Sequence, residues 1–391
     1  MKNVILIGST GTIGTQTVDV VKGHSDLFQI TAMGAGRRIE EFKQQILQLK
    51  HTPKLLSVEL EEDKKKLEEW LEEKGFEAKV YSGMDGMMKL VENGGEGDIF
   101  LGAIWGARCI HPTLAAIKKK MRIALANKEI LVAGGPVVLR EAKKYNAEII
   151  PVDSEISAIF QCLEGNKKKE VKEIILTCSG GPFRNFTKEQ LESVTVEQAL
   201  KHPTWNMGRM ITLDSATLLN KSRELIETVR LFDVQPEQVK IVIHPQAIVH
   251  SGIKYKDESV LLQVGPHNMR IPIQYSLSYP ERIEKVPEVE YFDLVKIKQL
   301  DFQEPDPERF PAVRLGYKSL QMGGTATAVL NAAGETATEA FLNKQISFMK
   351  MPEFVEAALD SHKPIQNPSL DQILAADEWA REFVNNKIKG G

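Results

Sequence analysis

Two carboxylates stand one residue apart just past an apolar run: Asp153-Ser154-Glu155 follows residues 149–152. On an extended chain, positions i and i+2 point to the same side. Two acids placed that way repel unless a cation neutralises them or one takes up a proton. The C-terminal ends of strands in open α/β sheets are also where ligands bind. A third acid, Glu224, lies in Asn220-Lys221-Ser222-Arg223-Glu224. Asn220 and Glu224 are i and i+4, so on a helix they share a face, with Lys221 beside them. Two or three carboxylates completed by water suit Mg²⁺ or Mn²⁺ rather than zinc. Structural roles stay open for the same residues. Asp153 and Glu155 could cap a helix over residues 156–163, and Glu224 could pair with Lys221 at i, i+3.

Phosphate chemistry is written in two places. Gly8-Ser-Thr-Gly11-Thr-Ile-Gly14 follows an apolar run at residues 4–7 and opens a helical pattern at 15–22. Glycines there let the backbone approach a pyrophosphate, and the helix N-terminus offers free N–H groups to it; a tight turn without a ligand is the alternative. Where an NAD site would carry an acid after the second strand, this chain has Gly36-Arg37-Arg38. Guanidinium groups bind a 2′-phosphate, which points to NADPH. The second place comprises Thr177-Cys-Ser179-Gly180-Gly181 and Asp214-Ser215-Ala-Thr217 ahead of Asn220-Lys221. Hydroxyls, glycine amides, an amide side chain and a lysine suit a terminal phosphate. His202-Pro-Thr-Trp205-Asn-Met-Gly208 ends a long loop and reads as a lid, or as a Trp packed in a satellite core.

These residues need elements to hold them. Strands are expected at 4–7, 29–33, 98–104, 122–126 and 149–152, with helices between, including 60–74 and 113–120. Alternating β and α with short connections implies a doubly wound parallel sheet. Further strands are expected at 171–177, 239–243 and 260–264, with a polar, mobile stretch at 180–208 and an extended Pro-rich linker at 285–311. Helical periodicity returns at 312, and Ser369-Leu-Asp-Gln372 has the form of a capping box. The expected fold class is therefore α/β: a Rossmann-like domain over 1–150, an α/β catalytic domain over 151–284, the linker 285–311 and a helical bundle over 312–391.

Composition narrows the function classes. The chain has 391 residues, 42% hydrophobic and 26% charged, with a formal net charge of −3, so no basic excess invites nucleic acid. Three cysteines, Cys109, Cys162 and Cys178, form no CxxC pair, which argues against thiolate zinc and fits a reducing cytosol. The first apolar run is too short for a secretory signal, and no run reaches the ~18 residues of a membrane span. A cytoplasmic protein with a small-molecule substrate is expected. None of the seven tyrosines has Lys four residues later, which sets aside a Tyr-x-x-x-Lys dehydrogenase.

Taken together, the chain resembles the 1-deoxy-D-xylulose 5-phosphate reductoisomerase family. The resemblance rests on GSTGTIG at 8–14, LANKE at 125–129, PVDSE at 151–155, AIFQ at 158–161, SGGPFR at 179–184, HPTWNMG at 202–208, DSAT at 214–217, IHPQAIVHS at 243–251 and MRIPIQY at 269–275. It implies that Thr10, Gly11, Thr12, Ile13, Gly36, Arg37, Arg38, Asn127, Glu129 and Gly208 line an NADPH site, and that Asp153, Glu155 and Glu224 hold the metal. It implies that Ser154 and Lys128 meet the substrate backbone, that Ser179, His202, Ser215, Asn220 and Lys221 hold its phosphate, and that Trp205 caps it. A homodimer is also implied, as is metal-assisted rearrangement of a sugar phosphate followed by hydride transfer from NADPH. The chain departs from the family's usual text at Ile156 (usually His), at Ser222 and Arg223 (usually small or apolar) and at Gly334 (usually Asn). A diverged paralogue acting on another sugar phosphate and a non-catalytic NADPH-binding regulator are the rival readings; three carboxylates and Lys128 argue against the latter, since a sensor needs no metal.

Overall fold

The computed structural model describes residues 1–95, 97–201 and 208–390. The chain divides into two compact units. The first comprises Met1–Asn127, Val138–Ser157 and Asn268–Tyr291; the second comprises Lys128–Val137, Ala158–His267 and Phe292–Gly391.

The first unit is built on a parallel sheet of seven strands: β1 (Lys2–Ile7), β2 (Phe28–Gly34), β3 (Leu55–Val58), β4 (Lys79–Ser82), β5 (Ile99–Gly102), β6 (Arg122–Leu125) and β7 (Ile149–Pro151). Their order, β4-β3-β2-β1-β5-β6-β7, reverses direction between β1 and β5. Ligands settle at such a switch point in doubly wound sheets. The connecting helices are α1 (Thr12–Gly23), α2 (Ile39–Gln48), α3 (Glu61–Lys74), α4 (Gly83–Asn93) and α5 (Ile110–Lys118). The central strands are apolar along their length because both faces are covered; Val4, Ile5, Leu6, Phe100 and Leu101 have no solvent exposure.

Two helices, α6 (Glu129–Tyr145) and α7 (Ser154–Leu163), run from one unit into the other. The second unit holds a four-stranded sheet of β8 (Val171–Cys178), β9 (Val239–Ile243), β10 (Val249–Tyr255) and β11 (Val260–Val264), ordered β11-β10-β8-β9. Its helices are α8 (Lys188–Glu192), α9 (Val196–Ala199), α10 (Arg209–Thr217) and α11 (Leu219–Phe232). A later helix, α12 (Arg270–Ser278), belongs to the first unit. Four more close the second: α13 (Ala312–Met322), α14 (Ala326–Leu342), α15 (Lys350–Ser361) and α16 (Leu370–Gly390). The capping box expected at α16 forms, with Ser369 N donating to Gln372 Oε1 at 2.9 Å and Gln372 N to Ser369 Oγ at 3.3 Å.

The α/β class and the doubly wound sheet agree with expectation, and β9 and β11 fall where the sequence placed them. Three strands were not expected. β3 and β4 are strands of only four residues, β4 at the sheet edge, and in β10 the residues His250, Ser251 and Gly252 interrupt the apolar run. The stretch from 180 is not the coreless loop that was expected. Phe183 is 2% exposed and meets Phe348 edge-on at 5.2 Å, and Leu191 and Ala199 are fully buried. Thr187 with Gln190, and Thr195 with Gln198, form two capping boxes that start α8 and α9. Residues 202–207 of that stretch lie outside the described residues. Residues 268–284, read from the sequence as the end of the catalytic segment, sit in the first unit. There Arg270 Nε donates to Asp19 at 3.0 Å, and Arg122 Nη1 donates to the Tyr279 carbonyl at 2.7 Å.

Gly8 ends β1 at φ +85°, where a Cβ would stand 2.5 Å from the Ala103 carbonyl oxygen. Gly8→Ala is expected to cost about 2 kcal/mol or more, from left-handed backbone strain and the clash together. A lowered urea midpoint of unfolding is the expected readout, and an unchanged midpoint contradicts this account of the turn.

Candidate functional site

In the first unit, the glycine turn is shaped by close backbone approach. A Cβ on Gly14 would lie 2.1 Å from the Gly8 carbonyl oxygen, so no other residue fits without moving the loop. α1 starts at Thr12 with Gly11 as its N-cap, no side chain caps it and no acid occupies its first turn. The N–H groups of the first turn, including those of Thr12 and Ile13, therefore form a site suited to an anion. Arg38 donates through Nη2 to the carbonyl of Thr10, which ties the arginine to the same loop, and it also pairs with Glu41 at 2.9 Å. Arg37 is exposed and pairs with Glu59, through Nε at 3.2 Å and Nη2 at 3.4 Å. Gly36 lies beside Glu59, where a Cβ would stand 3.7 Å from Glu59 Oε2. The sequence reading missed Glu59 because it missed β3, the strand that ends one residue earlier. Asn127 is buried, and its amide donates to the carbonyls of Ile104 and, at 3.0 Å, Gly106.

The acids after β7 do not continue an extended chain. α7 begins at Ser154, so Asp153 precedes the first turn and Glu155 lies within it. The same-side argument from strand geometry therefore fails, and both carboxylates belong to a helix N-terminus, where the macrodipole favours negative charge. Ser154 Oγ donates to Glu155, and both acids are half-buried. Ile156, where the resembled family has His, is fully buried.

In the second unit, residues distant in sequence converge. Glu224 on α11 is 1% exposed. Its Oε1 accepts from Lys128 Nζ at 3.0 Å and from the Asn220 amide, and its Oε2 accepts from Lys221. Lys128 also donates to Asn220 Oδ1 at 2.8 Å, and Lys221 to the Thr177 carbonyl at the end of β8 at 2.6 Å. Ser179 follows β8 and accepts from Gly181 N at 3.2 Å. Gly181 has φ +68°, and a Cβ there would lie 2.8 Å from the Ser215 carbonyl oxygen. The Ser179 turn thus packs onto the segment that carries Ser215. Gly208 is the N-cap of α10, with no side-chain cap. His202 and Trp205, expected at the phosphate end, lie outside the described residues. Two ammonium groups meet the Glu224 carboxylate and offset its buried charge.

Behind it lies a set of buried charges that the sequence reading did not foresee, apart from Glu129. Arg223 has no solvent exposure and donates to Asp214, which is equally buried. Gly334 makes the room: a Cβ there would lie 2.5 Å from Leu219 Cδ2 and 3.1 Å from Arg223 Nη2. Arg223 and Gly334, two of the positions singled out in the sequence, therefore lie against one another. Ser222 is accounted for as well, since its hydroxyl donates to the Ala312 carbonyl on α13. Burial pushes the Glu129 carboxyl up to about 7, opposed first by the charge of Arg223 and reinforced by that of Glu335.

Models of the family match most of the chain. That for 1-deoxy-D-xylulose 5-phosphate reductoisomerase matches residues 4–135, that for its C-terminal domain matches 149–232, and the DXP reductoisomerase C-terminal domain matches 264–383. The 1-deoxy-D-xylulose 5-phosphate reductoisomerase of Desulforamulus reducens is 46% identical over 390 residues, covering 100% of this chain and 99% of that one. The chain belongs to the 1-deoxy-D-xylulose 5-phosphate reductoisomerase family. That of Caldanaerobacter subterraneus is 46% identical, with 99% of each chain covered. Among solved structures, the reductoisomerase of Zymomonas mobilis in complex with NADPH superposes with a TM-score of 0.91 at 36% identity, covering 99% of each chain. A DOX-P reductoisomerase in complex with NADPH, fosmidomycin and magnesium gives 0.93 at 33% identity, covering 100% of this chain and 98% of that one.

Glu129 yields a pH prediction. Its folded-state pKa is raised, so the folded chain binds the proton more tightly than the unfolded chain. The stability it supplies is complete below its ordinary carboxylate pKa and is lost as pH rises through about 7. Glu129→Gln, which cannot ionise, should gain melting temperature relative to the wild type as pH rises across that window. A difference that is flat with pH contradicts the assignment.

Proposed function

We propose that this chain converts 1-deoxy-D-xylulose 5-phosphate to 2-C-methyl-D-erythritol 4-phosphate, an isoprenoid precursor, using NADPH and Mg²⁺ or Mn²⁺. The observation that carries this reading is the buried cluster of Glu224, Asn220, Lys221 and Lys128, in a chain whose family membership extends over both units. The donor chemistry fits a hard divalent cation: Asp153, Glu155 and Glu224 offer only carboxylate oxygens. The glycine turn and uncapped start of α1 fit a pyrophosphate. Complexes of related proteins with NADPH and with magnesium support both assignments.

The roles divide as follows. Thr10, Gly11, Thr12, Ile13, Gly36, Arg37, Arg38, Asn127, Glu129 and Gly208 line the NADPH site. Asp153, Glu155 and Glu224 hold the metal, which when bound draws electron density from the substrate carbonyl and a neighbouring hydroxyl. Lys128 and Ser154 orient the carbon skeleton. Ser179, Ser215, Asn220 and Lys221, together with His202, hold the phosphate end, and Trp205 covers it. A carbon–carbon bond of the substrate breaks and re-forms to give a branched aldehyde; a hydride from NADPH and a proton then complete the alcohol. NADPH supplies the hydride, while the protein supplies position and charge.

We further propose a homodimer in the cytoplasm. Val260 and Leu261, 44% and 45% exposed on the edge strand β11, support association there. No helix among the described residues is long and apolar enough to cross a membrane.

The purified chain should oxidise NADPH only when 1-deoxy-D-xylulose 5-phosphate and Mg²⁺ or Mn²⁺ are both present. Oxidation without the metal contradicts the reading, as does none with both present. Replacing Arg37 and Arg38 by Ala should raise the KM for NADPH by at least ~10-fold, each lost charge-assisted bond being worth about 1.5–3 kcal/mol. The KM for NADH should barely move; equal use of both cofactors by the wild type contradicts the arginine assignment.

A further inference from the structure

Arg223 is the largest side chain buried without exposure among the described residues. It lies on α11, and its guanidinium reaches two other helices. Nη1 donates to Asp214 on α10, and Nη2 donates to the Asn331 carbonyl on α14 at 3.4 Å. The second oxygen of Asp214 accepts from Thr338 on α14 at 3.3 Å. Glu335, on α14, and, once ionised, Glu129 at the start of α6 add negative charge around the same guanidinium. Glu335 is held from the far side by Asn331, at 2.9 Å, and by Arg381, which in turn binds Asp377 at 2.7 Å.

Sequence adjacency gives this arrangement its meaning. Glu129 follows Lys128, Asp214 precedes Ser215 and Arg223 precedes Glu224. Successive helical residues point about 100° apart, so Asp214 and Arg223 face a different side of their helices from Ser215 and Glu224. We infer that Arg223 is a positioning residue for the candidate site: one buried guanidinium fixes the spacing of the segments that carry Lys128, Ser215 and Glu224. The inference rests on the reading of those three residues as the site that takes a divalent cation and a sugar phosphate.

The physical reason is that buried opposite charges cannot drift apart cheaply. Water is absent to replace the lost partner, so a small separation of α10 from α11 exposes two uncompensated charges to a medium of low dielectric. A planar guanidinium adds direction, because it must meet the Asp214 carboxylate and the Asn331 carbonyl in one plane. Gly334 admits the group, as its missing Cβ leaves the space that Nη2 fills.

Two variants test this. Arg223→Lys keeps the charge and loses the fork. Its kcat with 1-deoxy-D-xylulose 5-phosphate and Mg²⁺ should fall by ~10-fold or more, with a raised KM for that substrate, since sub-ångström misplacement costs rate. Arg223→Met combined with Asp214→Asn removes both buried charges, leaving an amide for Thr338. It should recover most of any lost melting temperature, while kcat stays low and Mn²⁺, titrated without substrate, binds ~10-fold more weakly. Wild-type kinetics in Arg223→Lys overturn the inference, as does recovery of kcat and Mn²⁺ affinity along with melting temperature in the double variant. Should the double variant fail to fold, Arg223→Lys decides alone. A wild-type protein that does not turn over this substrate overturns the functional reading instead; Mn²⁺ affinity of the variants then decides on Arg223, and unchanged affinity overturns it.

Discussion

A carboxylate buried to 1% exposure and held by two ammonium groups is the constraint on which the second unit depends. A lone buried charge costs several kcal/mol in desolvation, so the carboxylate and its ammonium partners are held together. Lys128 arrives from the start of α6, Lys221 from one turn earlier on α11, and Lys221 is anchored by the Thr177 carbonyl at the end of β8. The strand end, the helix start and the helix face are thereby brought to one point. Exchange of a lysine for a divalent cation would leave the carboxylate compensated throughout.

A second layer of charge stiffens the first. Asp214, Arg223, Glu129, Glu335, Arg381 and Asp377 extend from the back of the site to α16. This layer is the reason the C-terminal helices bear on a site to which they contribute no proposed ligand. In the first unit the corresponding constraint is steric rather than electrostatic. The β1–α1 turn closes only without side chains at Gly8 and Gly14, and that closure leaves the N–H groups of α1 facing outward.

Legibility from the sequence followed physical strength of signal. Buried parallel strands such as β1 and β5 are continuous apolar runs, and Ser369-Leu-Asp-Gln372 announces its helix by chemistry that operates within four residues. The four-residue strands β3 and β4 carry no such run, and Glu59 was missed with them. Thr187-Lys-Glu-Gln190 and Thr195-Val-Glu-Gln198 are capping boxes legible in the sequence, set in polar text that hides the short helices they start. The Asp153–Glu155 pair was noticed for its spacing, on a strand geometry that the chain does not adopt. Convergence of Lys128, Thr177 and Glu224 is a long-range event, which no local pattern encodes. Arg223 and Gly334 each look anomalous alone; their fit to one another exists only in three dimensions.

On this reading the buried Glu224 carboxylate, shared between two lysines, is a ligand for a divalent cation. The most direct measurement is an electron paramagnetic resonance titration of Mn²⁺ into the substrate-free protein, wild type beside Glu224→Gln. The account expects one bound Mn²⁺ per chain in the wild type and affinity weaker by ~10-fold or more in the variant. Equal affinity in the two proteins, with both folded, would contradict it.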